Sequence, residues 1–181
     1  PVALTMCLAV LDPMTLTWFR FAFAAVFMLI WLGLRRQLGV YRALHARDWR
    51  WLLAATLLLI GNYVGYLLGV QFTSPGNAQL LIQLAPLLMA LGGSWIFKER
   101  YVLGQWLGLA VIASGLAFFF GDQLHGAVNA GPVYVLGSAI IGLASVSWAA
   151  YALIQKQLLL KLDSSHILTA LYIFSALLLW P

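Results

Sequence analysis

The residues that could do chemistry in this chain are neutral polar and aromatic side chains set inside long apolar runs. They fall into pairs with helical spacing, which places both members of a pair on one helix face. Two pairs are Asn62 with Tyr66 and Gln79 with Gln83. A third face has Ser147, Tyr151 and Gln155, with Trp148 beside them. Because polar groups in hydrocarbon need partners, these faces predict interhelical hydrogen bonds or a wet cavity. Amide, phenol and indole groups of this kind hold a small molecule without reacting with it.

One basic residue, Arg20, also falls inside an apolar run, about two helical turns from the end of that run marked by Asp12. At this depth we expect its side chain to extend toward the nearer membrane interface. The alternative is a cation that faces a ligand.

Covalent catalysis finds little support in the sequence. A serine hydrolase needs a histidine within reach of the serine, but Ser114 is in the middle of a run, whereas the histidines lie near the ends of runs or between them. The acids also lie between runs, and the chain has a single cysteine. We therefore expect no metal site, no cofactor and no enzyme activity.

The amino-acid composition indicates whether water or lipid surrounds this protein. The 181 residues are 64% hydrophobic and only 8% charged, whereas soluble domains are roughly 25% charged. Too few charges are present to cover a soluble surface. The net charge of +5 is spread along the chain and does not predict nucleic-acid binding. Lipid is the expected surrounding.

The apolar runs have the length of membrane helices, which need about 20 residues. Five are complete and two are partial, and we expect the chain to be part of a longer protein. The complete runs are Met14–Leu34, Trp51–Val70, Asn77–Phe97, Tyr101–Phe120 and Val133–Gln155; the partial ones are Pro1–Leu11 and His166–Pro181.

Basic residues mark every second connection between the runs. Nine of the 10 lysines and arginines lie in the connections around residues 35–50, 98–100 and 156–161, and the connections between them have none. We call the side of these three connections the basic face. The positive-inside rule places it in the cytoplasm.

Small residues four apart allow helices to approach closely in a membrane. Two such ridges are predicted packing surfaces: Gly61, Gly65 and Gly69, and Gly104 with Gly108. Pro86 lies within a run and predicts a kink that leaves the Ile82 carbonyl without its helical partner. Gln79, Gln83 and Pro86 are expected to share the face at that kink.

A weak internal repeat relates the two ends of the chain. Asp12 begins one aromatic-rich run, and Asp163, 151 residues later, begins another, with Phe21 corresponding to Tyr172. Five runs separate the two copies, and an odd number inverts the second copy in the membrane. Inverted repeats are typical of secondary transporters.

Several motifs resemble one family closely. They are Gln83-Leu84-Ala85-Pro86, Phe97-Lys98-Glu99-Arg100, and Gly104-Gln105-Trp106-Leu107-Gly108 leading to Ser114-Gly115. With these motifs the chain resembles the drug/metabolite transporter superfamily, EamA type. The resemblance implies an all-α polytopic membrane bundle of ten helices in two inverted five-helix repeats. It implies a first repeat at residues 1–120, an external loop at 121–132 and the beginning of a second repeat at 133–181.

The sequence thus predicts a secondary transporter of small organic metabolites, amino-acid-like or drug-like, that works by alternating access, with export the direction implied by the family. A membrane scaffold or subunit that transports nothing is the alternative. The expected partners are a small-molecule substrate and the lipid bilayer, with a second copy of the chain as a further candidate. The expected location is the inner membrane of a bacterium. Asn62, Tyr66, Gln79, Gln83, Trp148, Tyr151 and Arg20 are the candidate substrate-binding residues.

Overall fold

The computed structural model describes residues 12–180, without the side chains of residues 13, 120 and 122–130. This part of the chain is helical, with short connections. The α-helices are α1 (Pro13–Leu34), α2 (Ala46–Phe72), α3 (Pro75–Leu81), α4 (Leu84–Phe97), α5 (Leu103–Ala130), α6 (Pro132–Leu158) and α7 (Ser164–Leu178), and one 3₁₀ helix covers Leu38–Ala43. The predicted partial run Pro1–Leu11 lies outside the described residues.

Among the described residues, four segments are long and apolar enough to cross a membrane: Met14–Leu34, Ala46–Phe72, Pro75–Phe97 and Pro132–Leu158. Leu103–Phe119 and Ser164–Leu178 are shorter apolar helices. The all-helical polytopic class is therefore confirmed. Four of the five complete runs coincide with these segments, and the fifth, Tyr101–Phe120, is covered from Leu103 onward by α5.

The connection predicted at residues 121–132 is different in the structure. Helix α5 continues past Phe120 to Ala130, so most of the expected loop is helical. The physical reason is that polarity rises after Phe120 but no proline occurs before Pro132. Gly131 has a φ of 90°, which favours glycine, and Pro132 then begins α6.

The run at Asn77–Phe97 is not one continuous helix. It divides into α3 and α4 at Ile82–Gln83, one turn before Pro86. The Ile82 carbonyl accepts a hydrogen bond from the Ala85 amide at 3.0 Å. The carbonyl that the sequence left without a partner is therefore satisfied locally, by a tighter turn.

Helices α2 and α6 pack closely along the first glycine ridge. A Cβ atom on Gly65 would lie 3.4 Å from the Ala144 Cβ, and one on Gly69 would overlap Ile141. The second predicted ridge has no close neighbour among the described residues, because a Cβ on Gly104 or Gly108 would meet nothing within 4 Å. Spacing alone does not show which face of a helix has a neighbour.

Helices α1 and α7 form an antiparallel pair. The Trp18 indole near the start of α1 donates a hydrogen bond to the Ala176 carbonyl near the end of α7, at 2.9 Å. The two helices also begin alike: their N-cap residues, Asp12 and Asp163, have ψ angles of 155° and 152° at the same φ of −69°. Both values are the extended conformation that is usual for an N-cap residue.

The three basic connections lie together on one side of the bundle. Lys161 binds the buried Asp48 carboxylate at 2.6 Å, and Lys156 pairs with Glu99. The Tyr41 hydroxyl donates to the His166 carbonyl at 2.8 Å, and burial raises the Tyr41 pKa, so this hydroxyl stays protonated as a donor. Polar contacts therefore join residues 41–99 to residues 156–166 across the basic face.

Candidate functional site

A cavity of about 240 Å³ lies among α1, α2, α3 and α6. It brings together most of the polar residues that the sequence singles out. Its lining residues are Arg20, Asn62, Tyr63, Tyr66, Leu67, Gln79, Ile82 and Trp148. Five of the seven predicted site residues therefore share one cavity, here called the polar cavity.

The guanidinium of Arg20 lies at the wall of the polar cavity. Its carbon atom is 4.8 Å from the centre of the Tyr63 ring, a distance at which a cation is attracted to an aromatic face. The side chain thus has an aromatic partner on the protein. Tyr63 in turn meets Phe21 edge-on, with ring centres 5.1 Å apart.

Asn62 has a structural hydrogen bond as well as a place in the cavity wall. Its side-chain amide donates to the Ala144 carbonyl of α6 at 2.9 Å, and only 6% of the residue is exposed. Asn62 therefore makes an interhelical hydrogen bond and also lines a cavity, the two alternatives that the sequence left open. The bond fixes the amide orientation, which leaves its oxygen as an acceptor.

Tyr66 and Gln79 connect two helices at the cavity. The Tyr66 hydroxyl lies 3.5 Å from the Gln79 side-chain oxygen, the outer limit for a hydrogen bond. So long a contact holds each side chain weakly, and both remain available to a bound molecule.

Gln83 does not line the polar cavity, although Gln79, four residues earlier, does. Together with Pro86 it lines a different cavity of about 410 Å³, formed with Val111, Ile112 and Leu116 of α5. The predicted shared face holds for Gln83 and Pro86 but is wrong for Gln79. The helix breaks at Ile82–Gln83, and a spacing of four residues across the break no longer places two side chains on one face.

Tyr151 is also separate from the cavity wall. It is 5% exposed and belongs to the core cluster that includes Phe21, Leu52 and Ile167. Its ring centre is 5.6 Å from that of Trp148, so it packs behind the cavity residue. Its spacing placed it near Trp148, but spacing cannot show how deep a side chain lies.

Sequence reasoning did not identify Tyr63 as a site residue. The available signal was its position between Asn62 and Tyr66, three residues before Tyr66, a spacing that keeps it close to the same helix face.

The polar cavity offers one cation, amide and phenol groups, and aromatic faces. None of its lining residues is acidic. Within the described chain, no three histidine, cysteine, aspartate or glutamate residues cluster as metal ligands would. Groups of these kinds are able to hold a small organic molecule through hydrogen bonds and ring contacts.

Comparison with known proteins identifies the family. The model of the EamA-like transporter family matches residues 1–121. The chain is 32% identical over 183 residues to the uncharacterized inner membrane transporter YhbE of Escherichia coli K12, covering 100% of this chain and 57% of that protein. It is 30% identical over 187 residues to an uncharacterized transporter of Haemophilus influenzae, covering 100% and 58% respectively.

The chain thus spans less than two thirds of the length of these relatives. A crystal structure of another protein has the same fold, with a TM-score of 0.65 at 22% identity over 98% of this chain and 60% of that one. The family match, the relatives' names and the apolar helices together show that this chain is a multi-pass inner-membrane protein that belongs to the EamA-like transporter family.

Proposed function

We propose that the intact protein is a secondary transporter that exports small organic metabolites, amino-acid-like or drug-like, through the polar cavity. The observation that carries this proposal is the convergence of Arg20, Tyr66, Gln79 and Trp148, from four helices, on one cavity. Polar side chains that separate helices place inside a membrane bundle are costly unless they face a wet cavity or serve a partner. A scaffold has no need of such a cavity, and no covalent step is required of these side chains.

Alternating access requires contacts that close one side and can be broken. Two ion pairs on the basic face have this character: Asp48 with Lys161, and Glu99 with Lys156. Each pair joins the proposed first repeat to the proposed second one. Three of the lysine and glutamate partners are at least one third exposed, so these pairs are weak enough to open. We infer that they close the basic face while the cavity is accessible from the opposite side.

Flux through the full-length protein in proteoliposomes tests the proposal. Uptake and efflux of a labelled amino-acid and metabolite panel are measured for the wild type and for Asn62→Leu and Gln79→Leu at matched insertion. Gln83→Leu is the control, because it makes the same kind of change outside the polar cavity.

Saturable flux that falls at least tenfold in the two cavity variants and persists in Gln83→Leu supports the proposal. Flux that survives all three substitutions contradicts the site. An absence of flux for every compound, with all proteins correctly inserted, favours the scaffold.

A further inference from the structure

We propose that Arg20 is the carboxylate-binding residue of the polar cavity, so that the substrates are organic molecules with a carboxylate. This inference rests on the proposed transport function and names the substrate class. The juxtaposition that carries it is a guanidinium, held on the Tyr63 ring, at the wall of a cavity whose lining has no acid.

The first step concerns the counter-charge of Arg20. Among the residues described by the structure, the ion pairs occupy Lys156, Lys161, His45 and His166, and none involves Arg20. Asp12 lies on the same helix, but eight residues away, which is about 12 Å along the axis. An arginine inside an apolar run without an acidic partner is costly. A bound anion supplies the missing charge.

The second step concerns the geometry of the guanidinium. The guanidinium carbon lies over the Tyr63 ring, 4.8 Å from its centre, and the N–H donors of a guanidinium lie in the plane of the group. These donors match the two oxygens of a carboxylate. Tyr63 is itself held by the edge of Phe21, at 5.1 Å between ring centres. Tyr63 is therefore a positioning residue that presents the donors of Arg20 to the cavity.

The third step concerns the rest of the ligand. Leu67, Ile82 and the Trp148 ring form an apolar wall, which suits an aromatic or branched side chain. Asn62 and Gln79 present amide oxygens, which accept hydrogen bonds from an ammonium or hydroxyl group. Since these acceptors are neutral, an ammonium is tolerated but is not required. The carboxylate is the group that the site selects.

A set of probes with one body and different end groups tests this selection. Purified full-length protein is titrated with phenylalanine, 3-phenylpropionate, phenylalaninamide and phenethylamine, and binding is read from the rise in thermal midpoint. The leucine series provides the same comparison with an aliphatic body. We expect the carboxylates to bind at least about tenfold more tightly than the amide or the amine, as a charge-assisted bidentate contact predicts.

Variants separate the role of Arg20 from general damage to the fold. Arg20→Gln should abolish the preference for carboxylates, while the midpoint without ligand reports whether the protein is folded. Arg20→Lys retains the charge but loses the planar fork, so we expect partial affinity. Tyr63→Phe keeps the aromatic face and should retain the preference, whereas Tyr63→Leu should reduce it. If Tyr63→Phe keeps the preference and Tyr63→Leu loses it, the aromatic ring of residue 63 positions Arg20 and the tyrosine hydroxyl is not needed.

Equal binding of phenylalanine and phenylalaninamide, or an unchanged preference in Arg20→Gln, would overturn the inference. Binding of none of the carboxylates in either series would overturn it as well. Flux of compounds without a carboxylate would leave the transport proposal standing and contradict only the role of Arg20. Carboxylate binding without any flux would support the role of Arg20 and contradict the transport proposal.

Discussion

Phe21 of α1 and Tyr172 of α7 stack on each other, with ring centres 5.9 Å apart and planes 28° from parallel. They are also corresponding residues of the internal repeat, 151 positions apart. Two inverted copies related by a two-fold axis bring corresponding residues together only near that axis. On the inverted repeat that the sequence predicts, this contact would lie near the two-fold axis, between α1 and α7. The polar cavity is close by, since Tyr63 contacts both Phe21 and Arg20.

Replacing Phe21 by alanine should destabilise the protein strongly. Its side chain is 2% exposed and contacts two aromatic rings, so we expect a loss of about 3–5 kcal/mol in the free energy of unfolding. Phe23, two residues later, is 82% exposed, and Phe23→Ala is the matched control with an effect within about 0.5 kcal/mol. Equilibrium unfolding in detergent measures both, and equal losses would contradict the packing.

The glycine ridge of α2 should tolerate a methyl group at one end and not at the other. A Cβ on Gly69 would overlap Ile141 and lie 3.0 Å from the Gly137 carbonyl oxygen, whereas a Cβ on Gly61 would lie 3.8 Å from the Ser147 hydroxyl oxygen. We expect Gly69→Ala to cost about 1–3 kcal/mol by overpacking. Gly61→Ala should be neutral or slightly stabilising. Thermal midpoints in detergent give the comparison, and a neutral Gly69→Ala would show that α2 and α6 are farther apart.

The two aspartates that precede α1 and α7 should contribute differently to the stability of the fold. Asp12 accepts hydrogen bonds from the Met14 and Thr15 amides, whereas the Asp163 side chain makes no capping bond. Asp12→Ala should therefore lower the thermal midpoint by a few degrees, and Asp163→Ala by less. An equal or larger effect of Asp163→Ala would argue against the cap.

The contribution of Asp12 should also depend on pH. Hydrogen bonds from Thr15 hold its pKa below the ordinary value of 3.8. Because the pKa is lower in the folded protein, the carboxylate stabilises the fold above the ordinary pKa, and this stabilisation is lost as the pH falls through the folded-state value. The difference in midpoint between the wild type and Asp12→Ala should be constant from about pH 5 to 7 and shrink below about pH 4.

Reversing the charges of one ion pair tests the closure of the basic face. Lys161 binds Asp48, whose side chain is 6% exposed. Asp48→Lys and Lys161→Asp should each reduce flux, because like charges then face each other. The double reversal should restore at least half of the wild-type rate, since it re-forms the pair. Failure of the double variant to recover, despite normal insertion, would contradict a role of this pair in the transport cycle.

The sequence by itself determined the class of this protein and much of its layout. A composition of 64% hydrophobic residues leaves lipid as the solvent, and the length of the apolar runs then requires helices. The same reasoning identified the basic face, the ridge from Gly61 to Gly69 and the polar residues of α2. These are properties of one helix at a time, which spacing and polarity encode directly.

Only the tertiary structure decided which helix faces meet. Gln83 turned away from Gln79 because the chain tightens at Ile82–Gln83, and Tyr151 proved to be core rather than cavity wall. The Arg20 guanidinium contacts the Tyr63 ring, and Asp48 pairs with Lys161, which is 113 residues later in the chain. Such contacts depend on the relative rotation and depth of separate helices, which are determined by packing and not by the pattern within any one of them.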